Sequence, residues 1–244
     1  MKNTIEDSIK TGFSTLLALE QAYQFNTWMF NDIRPYLKGK VLEIGSGIGN
    51  ISSLCIQHRI PLCISDYDPV YLRLLQERFE GNPDVKGIYA IDLAEKNFDA
   101  VHAGIVGTFD TVFSLNVIEH IEDDNLAILN CYKLLKPGGR VVILVPAWPA
   151  LYNRLDKGLE HYRRYSSRTL RQLLSGPFTV TVMKYFNLAG IGGWWLTGTL
   201  LKKKVIGEGR AKVYNRLVPL FRLVDWLSFH RMGLSLVAVG EKER

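Results

Sequence analysis

A glycine-rich loop is the first feature of the sequence suited to holding a ligand. The segment VLEIGSGIGN places glycines at positions 45, 47 and 49, after an apolar run and before a helix-like one. Glycines let the backbone approach a ligand closely, and amide N–H groups at a helix start point toward it. Asn50 occupies the third glycine position of the GxGxxG pattern. The loop therefore fails the dinucleotide fingerprint, which argues against a nicotinamide dehydrogenase.

Three carboxylates accompany the loop. Glu43 precedes it, Asp66 follows 21 residues after Gly45, and Asp92 closes the next apolar run. A carboxylate at Glu43 would repel a pyrophosphate and attract an ammonium group, whereas Asp66 stands where an acid accepts hydrogen bonds from ribose hydroxyls. Asp92 could accept one from an adenine amine. This set predicts a nucleoside ligand with a positive charge and no phosphate, which is S-adenosyl-L-methionine.

Two histidines could supply a base for methyl transfer. The transfer is an in-line displacement at an activated sulfonium carbon, so the enzyme chiefly aligns the acceptor and excludes water. A hydroxyl or protonated amine must also lose a proton, and histidine is suited to this at neutral pH. Among the five histidines, His120 follows the fourth apolar run and His161 lies after the fifth. Both are candidate catalytic residues, because open α/β sheets place their sites at such strand ends.

The segment LEHYRRYSSRTL, after the fifth run, combines two arginines with aromatic residues. Guanidinium groups match carboxylates and phosphates, and tyrosines add flat surface and a hydroxyl. We therefore expect Tyr162, Arg163 and Arg164 to bind the acceptor. The alternative is a solvated loop in which Ser166 or Ser167 caps the helix that follows.

The elements that must position these groups are alternating apolar runs and helix-like stretches. Such alternation predicts an α/β fold with a parallel sheet covered by helices on both faces. Seven runs predict strands: residues 40–45, 61–67, 87–93, 109–115, 140–146, 178–186 and 234–242. We predict a single domain over residues 1–244, with a helical flap at 1–38 and a helical insertion, serving as a lid or an interface, at 187–232.

The motifs together resemble, in order and spacing, those of class I S-adenosylmethionine-dependent methyltransferases. The resemblance covers residues 40–147 and is carried by VLEIGSGIGN, SDYDP, AIDL, FDTVFSLNVIEHIEDD and LKPGGRVVILVPA. It implies a Rossmann-like seven-stranded sheet, mostly parallel, with the last strand antiparallel. The HYRRY block is similar to that of one subgroup of bacterial methyltransferases.

The resemblance also implies which residues hold the cofactor. It assigns Gly45 and its neighbours to the methionine part, Asp66 to the ribose and Asp92 to the adenine. The full predicted set follows the chain: Tyr23, Trp28, Glu43, Gly45, Ser46, Gly47, Asp66, Tyr67, Asp92, Leu93, Asn116 and Val117. Within it, the pair at positions 116 and 117 forms the wall near the sulfonium, and the two flap aromatics touch the cofactor.

A metal site at this edge of the sheet is not expected. Glu119 and His120 head a run rich in carboxylates, and some quinone-pathway methyltransferases carry a similar pair with an additional acid three residues before the glutamate. Asn116 stands at that place, so the acids are expected to form the first turn of the next helix instead. In the resembled family this pair commonly holds the helix and loop, which is the alternative to a catalytic role for His120.

The net charge of +6 is concentrated in the C-terminal quarter. Residues 1–186 hold 20 basic and 20 acidic side chains, whereas residues 187–244 hold 10 and 4. A neutral body with a local basic segment argues for a local contact and against a nucleic-acid partner. The insertion at 187–232 allows a peripheral membrane contact or a homodimer face as well as a lid. The first residues, MKNTIEDSIKTGF, lack the apolar run of a secretory signal, so a cytoplasmic location is expected.

The combined prediction is an S-adenosyl-L-methionine-dependent methyltransferase. It would move a methyl group to an oxygen, nitrogen or carbon atom of a small molecule that is anionic or lipid-like. Two alternatives remain open: methylation of RNA or protein, and a non-catalytic protein that binds the cofactor in support of a partner.

Overall fold

A seven-stranded sheet runs through the part of the chain that the structure describes, residues 17, 20–203 and 208–243. The structure is a computed structural model. The strands in chain order are β1 (Val41–Ile44), β2 (Leu62–Asp66), β3 (Val85–Ala90), β4 (Phe109–Leu115), β5 (Leu135–Pro146), β6 (Thr179–Phe186) and β7 (Ser235–Glu241). They lie in the order β3-β2-β1-β4-β5-β7-β6, and β7 is antiparallel to both of its neighbours. The predicted Rossmann-like sheet with an antiparallel last strand is confirmed.

Helices cover both faces of this sheet. In chain order they are α1 (Tyr23–Ile33), α2 (Asn50–Gln57), α3 (Pro69–Phe79), α4 (Phe98–Val101), α5 (Asp124–Leu134), α6 (Arg154–Gly158), α7 (Ser167–Ser175), α8 (Ala189–Trp194) and α9 (Glu208–Leu227), with 3₁₀ turns at Arg34–Tyr36, Ile118–His120 and Pro149–Leu151 and a π-helical turn at Trp195–Leu200. Two buried apolar clusters result, one around Phe30 and Phe113 and the other around Phe109 and Ile128. Burial on both faces is the reason that the strands are continuous apolar runs in the sequence.

Side-chain caps fix the starts of several helices. Asp68 and Asp123 accept backbone N–H groups at the starts of α3 and α5. Ser166 accepts the N–H of Thr169 at 3.1 Å and forms a reciprocal capping box with it at the start of α7. Of the two serines predicted to cap this helix, Ser166 is the one that does so.

β1 and β4 are neighbours, and the strands that follow them along the chain, β2 and β5, lie on opposite sides of this pair, toward the two lateral edges of the sheet. In open α/β sheets the crevice at such a reversal, at the carboxyl ends of the strands, is where ligands bind. The glycine loop follows β1, Asp66 ends β2, and the segment 116–120 follows β4. The fold therefore brings three of the predicted motifs to one edge.

The chain between β6 and β7 forms α8, the π-helical turn and α9 beside this edge. α9 packs against α1 and buries Val218 and Asp225. The carboxylate of Asp225 accepts the N–H groups of Asn187 at 2.6 Å and Leu188 at 2.7 Å, which ties α9 to the end of β6. Among the described residues, no helix is both long enough and apolar enough to cross a membrane.

The described part of the chain omits two pieces of the predicted organisation. Most of the N-terminal flap before residue 20 and residues 204–207 of the insertion lie outside the described residues. What the structure describes of the flap is chiefly α1.

Candidate active site

A cavity of about 1730 Å³ opens at the carboxyl edge of the sheet. Its floor consists of the loops that follow β1, β2 and β4, and its far wall comes from residues 152–164 and from the insertion. The cavity thus gathers the glycine loop, the predicted acceptor segment and the insertion around one space.

The glycine loop lines the cavity in backbone conformations that favour glycine. The φ angle is +70° at Gly45, +56° at Gly47 and +83° at Gly49. A Cβ atom on Gly45 would lie 2.4 Å from Cγ2 of Val117. A larger residue at position 45 would therefore both strain the backbone and displace Val117, which is itself a predicted cofactor contact.

Asp66 holds this loop from the end of β2. Its Oδ2 accepts the N–H of Gly47 at 2.9 Å, and its Oδ1 accepts that of Asp68 at 3.0 Å. Burial raises the pKa of Asp66, and these backbone hydrogen bonds oppose the rise. Each carboxylate oxygen keeps a further lone pair, so the group can still accept hydrogen bonds from a diol in the cavity that it lines.

Glu43 lies buried beneath the loop in β1 and also lines the cavity. The hydroxyl of Ser52 donates to its Oε2. Burial raises the pKa of Glu43 to about 7, although hydrogen bonds from Ser52 and Ser46 lower it. A cationic group in the cavity would stabilise the carboxylate form.

Of the residues predicted near the adenine, only some line the cavity. β3 ends at Ala90 rather than at residue 93, so Asp92 stands in an exposed turn where its Oδ1 accepts the N–H of Ala94 at 2.8 Å. Leu93 is buried in the core. Tyr67, in contrast, is 70% exposed and lines the cavity. The structure brings Tyr67 to the cavity wall but neither Asp92 nor Leu93.

α1 turns a different face to the cavity from the one expected. Trp28 is buried against Phe186, with ring centroids 4.5 Å apart, and the exposed Tyr23 hydroxyl donates to Oε1 of Gln57 at 3.4 Å. Neither aromatic lines the cavity. The residues that do are spaced as one helical face: Ala22, Phe25, Asn26 and Met29. That spacing is the sequence signal that could have identified them.

His120 faces the cavity from the 3₁₀ turn after β4. The ring is accessible from the cavity, is enclosed by protein on its other sides, and meets His161 edge-on with centroids 4.6 Å apart. This enclosure is the main reason that the pKa of His120 is lowered, and the electrostatic effect of the neighbouring His161 adds to it. Its imidazole is therefore neutral near pH 7 and presents an unprotonated nitrogen to the cavity, but the lowered pKa also makes it a weaker base than a free histidine. Asn116, at φ +54°, lines the same side of the cavity.

His161 and Arg164 share one buried carboxylate, that of Asp156. Its Oδ1 lies 3.0 Å from Nδ1 of His161 and accepts Nε–H of Arg164 at 2.7 Å. Burial alone would raise the pKa of Asp156, but the hydrogen bond with His161 and the charge of Arg164 outweigh it and hold the pKa below its usual value. Burial also lowers the pKa of Arg164, yet a guanidinium stays charged at any ordinary pH.

Arg164 has two further contacts inside the protein. Its Nη1 donates to the carbonyl of Ala147 at 2.9 Å, and its guanidinium lies 4.5 Å from the ring centroid of Trp194. The Trp194 Nε1–H in turn donates to Oδ2 of Asp156 at 3.3 Å. No role for Asp156 could be predicted from the sequence, because a single acid in a polar segment does not indicate which residues it contacts.

Arg163 points away from the cavity. Its Nη1 pairs with Oδ2 of Asp124 at 2.8 Å, and its Nη2 donates to the carbonyl of Glu122 at 2.5 Å. Tyr162 is 55% exposed and lines the cavity, as does Arg164. Of the three predicted acceptor residues, Tyr162 and Arg164 therefore reach the cavity wall and Arg163 does not.

Comparison with known proteins agrees with this geometry. A profile of the methyltransferase domain matches residues 42–141. The chain is 29% identical over 210 residues to the ubiquinone biosynthesis O-methyltransferase of Pseudomonas entomophila. The aligned region covers 84% of this chain and 82% of that protein. The protein is an S-adenosylmethionine-dependent methyltransferase.

Solved structures of other methyltransferases have a fold similar to that of this chain. An S-adenosylmethionine-dependent methyltransferase from Archaeoglobus fulgidus superposes with a TM-score of 0.56 at 19% identity, over 89% of this chain and 94% of that one. The phosphoethanolamine N-methyltransferase 2 of Haemonchus contortus, solved with S-adenosylhomocysteine, gives 0.58 at 18% identity, over 88% of this chain and 52% of that one.

The residues at the glycine loop of the methyltransferase suit S-adenosyl-L-methionine, its cofactor. Gly45 leaves the space that a side chain would fill. The buried carboxylate of Glu43 suits a cationic ammonium group, and the lone pairs of Asp66 suit a ribose diol. When bound, the cofactor supplies an electrophilic methyl group on a sulfonium.

Proposed function

We propose that this methyltransferase methylates a small molecule that is lipid-like or anionic, at an oxygen, nitrogen or carbon atom, with oxygen favoured. The observation that supports this most is the extent of the cavity, which is lined by the glycine loop, by His120 and by the insertion. Much of its wall is apolar: Phe25, Met29, Leu155, Leu159, Leu196, Val213 and Leu217. Such walls, with a few polar groups, are suited to enclosing a small molecule. The name of the Pseudomonas entomophila relative supports oxygen as the acceptor atom.

On the cofactor side, we assign roles by chemistry and place in the cavity. Glu43 binds the ammonium group, Ser46 and Gly47 the rest of the methionine part, and Asp66 the ribose hydroxyls. Tyr67 lies toward the adenine. The pair formed by positions 116 and 117 borders the sulfonium, at the end of β4 where the acceptor must approach.

On the acceptor side, His120 takes up the proton. As the acceptor oxygen forms its bond to the methyl carbon and the sulfur–methyl bond breaks, the hydroxyl proton passes to the neutral imidazole and then to water. His161, held by Asp156, packs against His120 and positions it. Tyr162 and Arg164 border the acceptor, with Arg164 acting through the shape of the wall because its guanidinium is occupied within the protein.

The test is incubation with methyl-labelled S-adenosyl-L-methionine and cell extract separated into lipid, small-metabolite, protein and RNA fractions. We expect label in the lipid or small-metabolite fraction. His120→Ala should lower the rate about 100-fold, since a positioned base contributes on that scale, without changing cofactor affinity. His58→Ala, at the far end of α2, is the control. Label confined to RNA or protein would contradict the proposal, and cofactor binding without any product would favour a non-catalytic partner protein.

The insertion supports a lipid-like acceptor through its exposed surface. Apolar side chains of the π-helical turn, of α9 and of the residues just after each of them remain exposed: Trp195, Leu200, Leu201, Leu220, Leu223, Trp226, Leu227 and Phe229. Exposed cations stand among them: Lys202, Lys203, Lys212, Arg216 and Arg222. Helices of this composition bind the interface of anionic membranes. We propose that the insertion contacts a membrane surface and admits the acceptor from it.

This contact predicts a measurable loss on substitution. Leu220→Glu together with Trp226→Glu should weaken co-sedimentation with anionic lipid vesicles at least about tenfold, because each side chain would otherwise bury apolar area worth about 1.5–3 kcal/mol. The matched control is Leu129→Glu, an exposed leucine of α5. Unchanged sedimentation of the double variant would contradict the membrane contact. If the wild type forms a concentration-dependent dimer and the double variant does not, this surface is a homodimer face instead.

A further inference from the structure

Glu119, His120 and His161 bring side-chain oxygen and nitrogen atoms close together beside the cavity. One ligand atom from each lies within 4.8 Å of those of the other two. Nε2 of His161 is 4.0 Å from Oε1 of Glu119. Two of the three, His120 and His161, also line the cavity. This group joins the turn after β4 to the segment after α6.

Glu119 has a carboxylate that the rest of the protein leaves without hydrogen bonds. The residue is completely buried, and neither carboxylate oxygen has a hydrogen-bond partner among the described residues. A buried carboxylate without a partner is costly, and native proteins almost always pair such a group or place it on a metal ion. As a carboxylate, Glu119 therefore requires a positively charged neighbour; without one it would hold a proton, since burial raises its pKa to about 7.

The orientation of His161 points to what that neighbour is. Nδ1 of His161 faces the Asp156 carboxylate at 3.0 Å, on the same oxygen that Arg164 contacts. Because a carboxylate accepts only, Nδ1 carries the proton. In the neutral ring Nε2 then presents a lone pair to the carboxylate of Glu119. Two acceptors that face each other inside the protein repel unless a proton or a metal ion lies between them. A carboxylate behind the distal ring nitrogen is also how proteins orient metal-binding histidines.

We propose that Glu119, His120 and His161 bind one divalent transition-metal ion of the zinc class, with its open coordination position toward the cavity. Two imidazoles and a carboxylate form a ligand set that suits zinc, and three protein ligands leave a position for an external oxygen. Bonds of about 2.1 Å in tetrahedral geometry place the ligand atoms about 3.4 Å apart. Side-chain shifts of about 1 Å would therefore close the site.

The ion would act on the acceptor, and this role rests on the proposed function. An acceptor hydroxyl bound at the open position loses its proton more readily, because the charge of the ion stabilises the oxyanion. With the ion bound, His120 is a ligand and the acceptor proton goes to water in the cavity. The role of His120 as proton acceptor in the proposed function applies to the protein without the ion. The sequence did not predict this site because the third ligand was sought at position 116, whereas His161 comes from a segment 41 residues after His120.

Zinc titration of the full chain tests the site directly. After chelator treatment and dialysis, calorimetry should show one Zn²⁺ per chain, and Co²⁺ should give the visible absorption of a four-coordinate site. Glu119→Gln and His161→Gln should each weaken Zn²⁺ binding about 100-fold. Glu122→Gln and His58→Gln are matched controls outside the group, and we expect them to bind Zn²⁺ like the wild type. S-adenosylhomocysteine affinity and Tm, measured for each variant, report folding.

The outcomes separate this inference from the proposed function. No saturable Zn²⁺ binding, or equal affinity in the wild type and Glu119→Gln, would overturn the metal site and would indicate that His161 is an imidazolium paired with Glu119. Methyl transfer by such a protein would leave the proposed function standing. Zn²⁺ binding lost in Glu119→Gln, without methyl transfer to any small molecule, would retain the site and remove its role in catalysis.

Discussion

Replacing Asp66 with alanine should weaken the binding of S-adenosylhomocysteine about 100-fold in calorimetry. Two hydrogen bonds from ribose hydroxyls to a charged acceptor contribute about 3 kcal/mol, which corresponds to about 100-fold in Kd. The substitution also removes the acceptor for the N–H of Gly47, so the glycine loop loses the contact that holds it to β2. Both effects act on the same binding step.

Asp92→Ala is the informative control for this experiment. Asp92 also follows a strand and was predicted to hold the adenine, but it lies in an exposed turn outside the cavity wall. Its replacement should change affinity less than about threefold, since exposed polar contacts contribute little. Equal losses in the two variants would mean that the adenine lies against the β3 turn. Unchanged affinity in Asp66→Ala would remove the ribose assignment.

The cofactor half of the site could be predicted from the sequence because it depends on where parallel strands end. β1, β2 and β4 are continuous apolar runs, so the sequence indicates where each strand ends: Gly45 follows β1, Asp66 is the last residue of β2, and Asn116 follows β4. Parallel pairing then brings those residues to one edge whatever the side-chain details. Asp92 does not line the cavity, because β3 is half-buried and ends at Ala90, three residues before the predicted end of the strand.

The acceptor half could not be predicted because it depends on the direction of individual side chains. α1 is apolar on more than one face, so composition does not reveal that Phe25 and Met29 face the cavity while Trp28 faces the core. In extended backbone, neighbouring side chains point to opposite sides. A pair of adjacent arginines therefore contains one candidate for each side, and the sequence does not indicate which is which.

The two halves meet at the turn after β4, where one short segment serves three purposes. Val117 closes on Gly45 and fixes the loop, Glu119 is buried behind the turn, and His120 faces the cavity. A change in this turn would move the cofactor loop and the candidate base together. The acceptor segment is anchored to it, since the N–H of Tyr162 donates to the carbonyl of Glu119 at 2.8 Å.

Arg164→Ala should lower Tm by about 10 °C, whereas Arg163→Ala should lower it by less than about 3 °C. Arg164 is buried and is the permanent cation beside Asp156. Removing one member of a buried ion pair destabilises a protein by about 3–5 kcal/mol, because the remaining charge stays buried without its partner. The pair formed by Arg163 and Asp124 is partly exposed, and pairs of that kind contribute about 0–1 kcal/mol.

Thermal melting of the two single variants, with the acceptor KM measured below both transitions, separates folding from recognition. Arg164→Ala with Asp156→Asn should recover part of the lost stability, because the substitution at 156 removes the unpaired charge. Equal Tm values in the two single variants would contradict the buried ion pair. A raised acceptor KM in Arg163→Ala at unchanged Tm would mean that Arg163 does bind the acceptor. Its side chain would then have to leave Asp124 when the substrate binds. The two arginines have identical chemistry but differ in burial and in partners, so the comparison measures what the buried surroundings of Arg164 add to the effect of its charge.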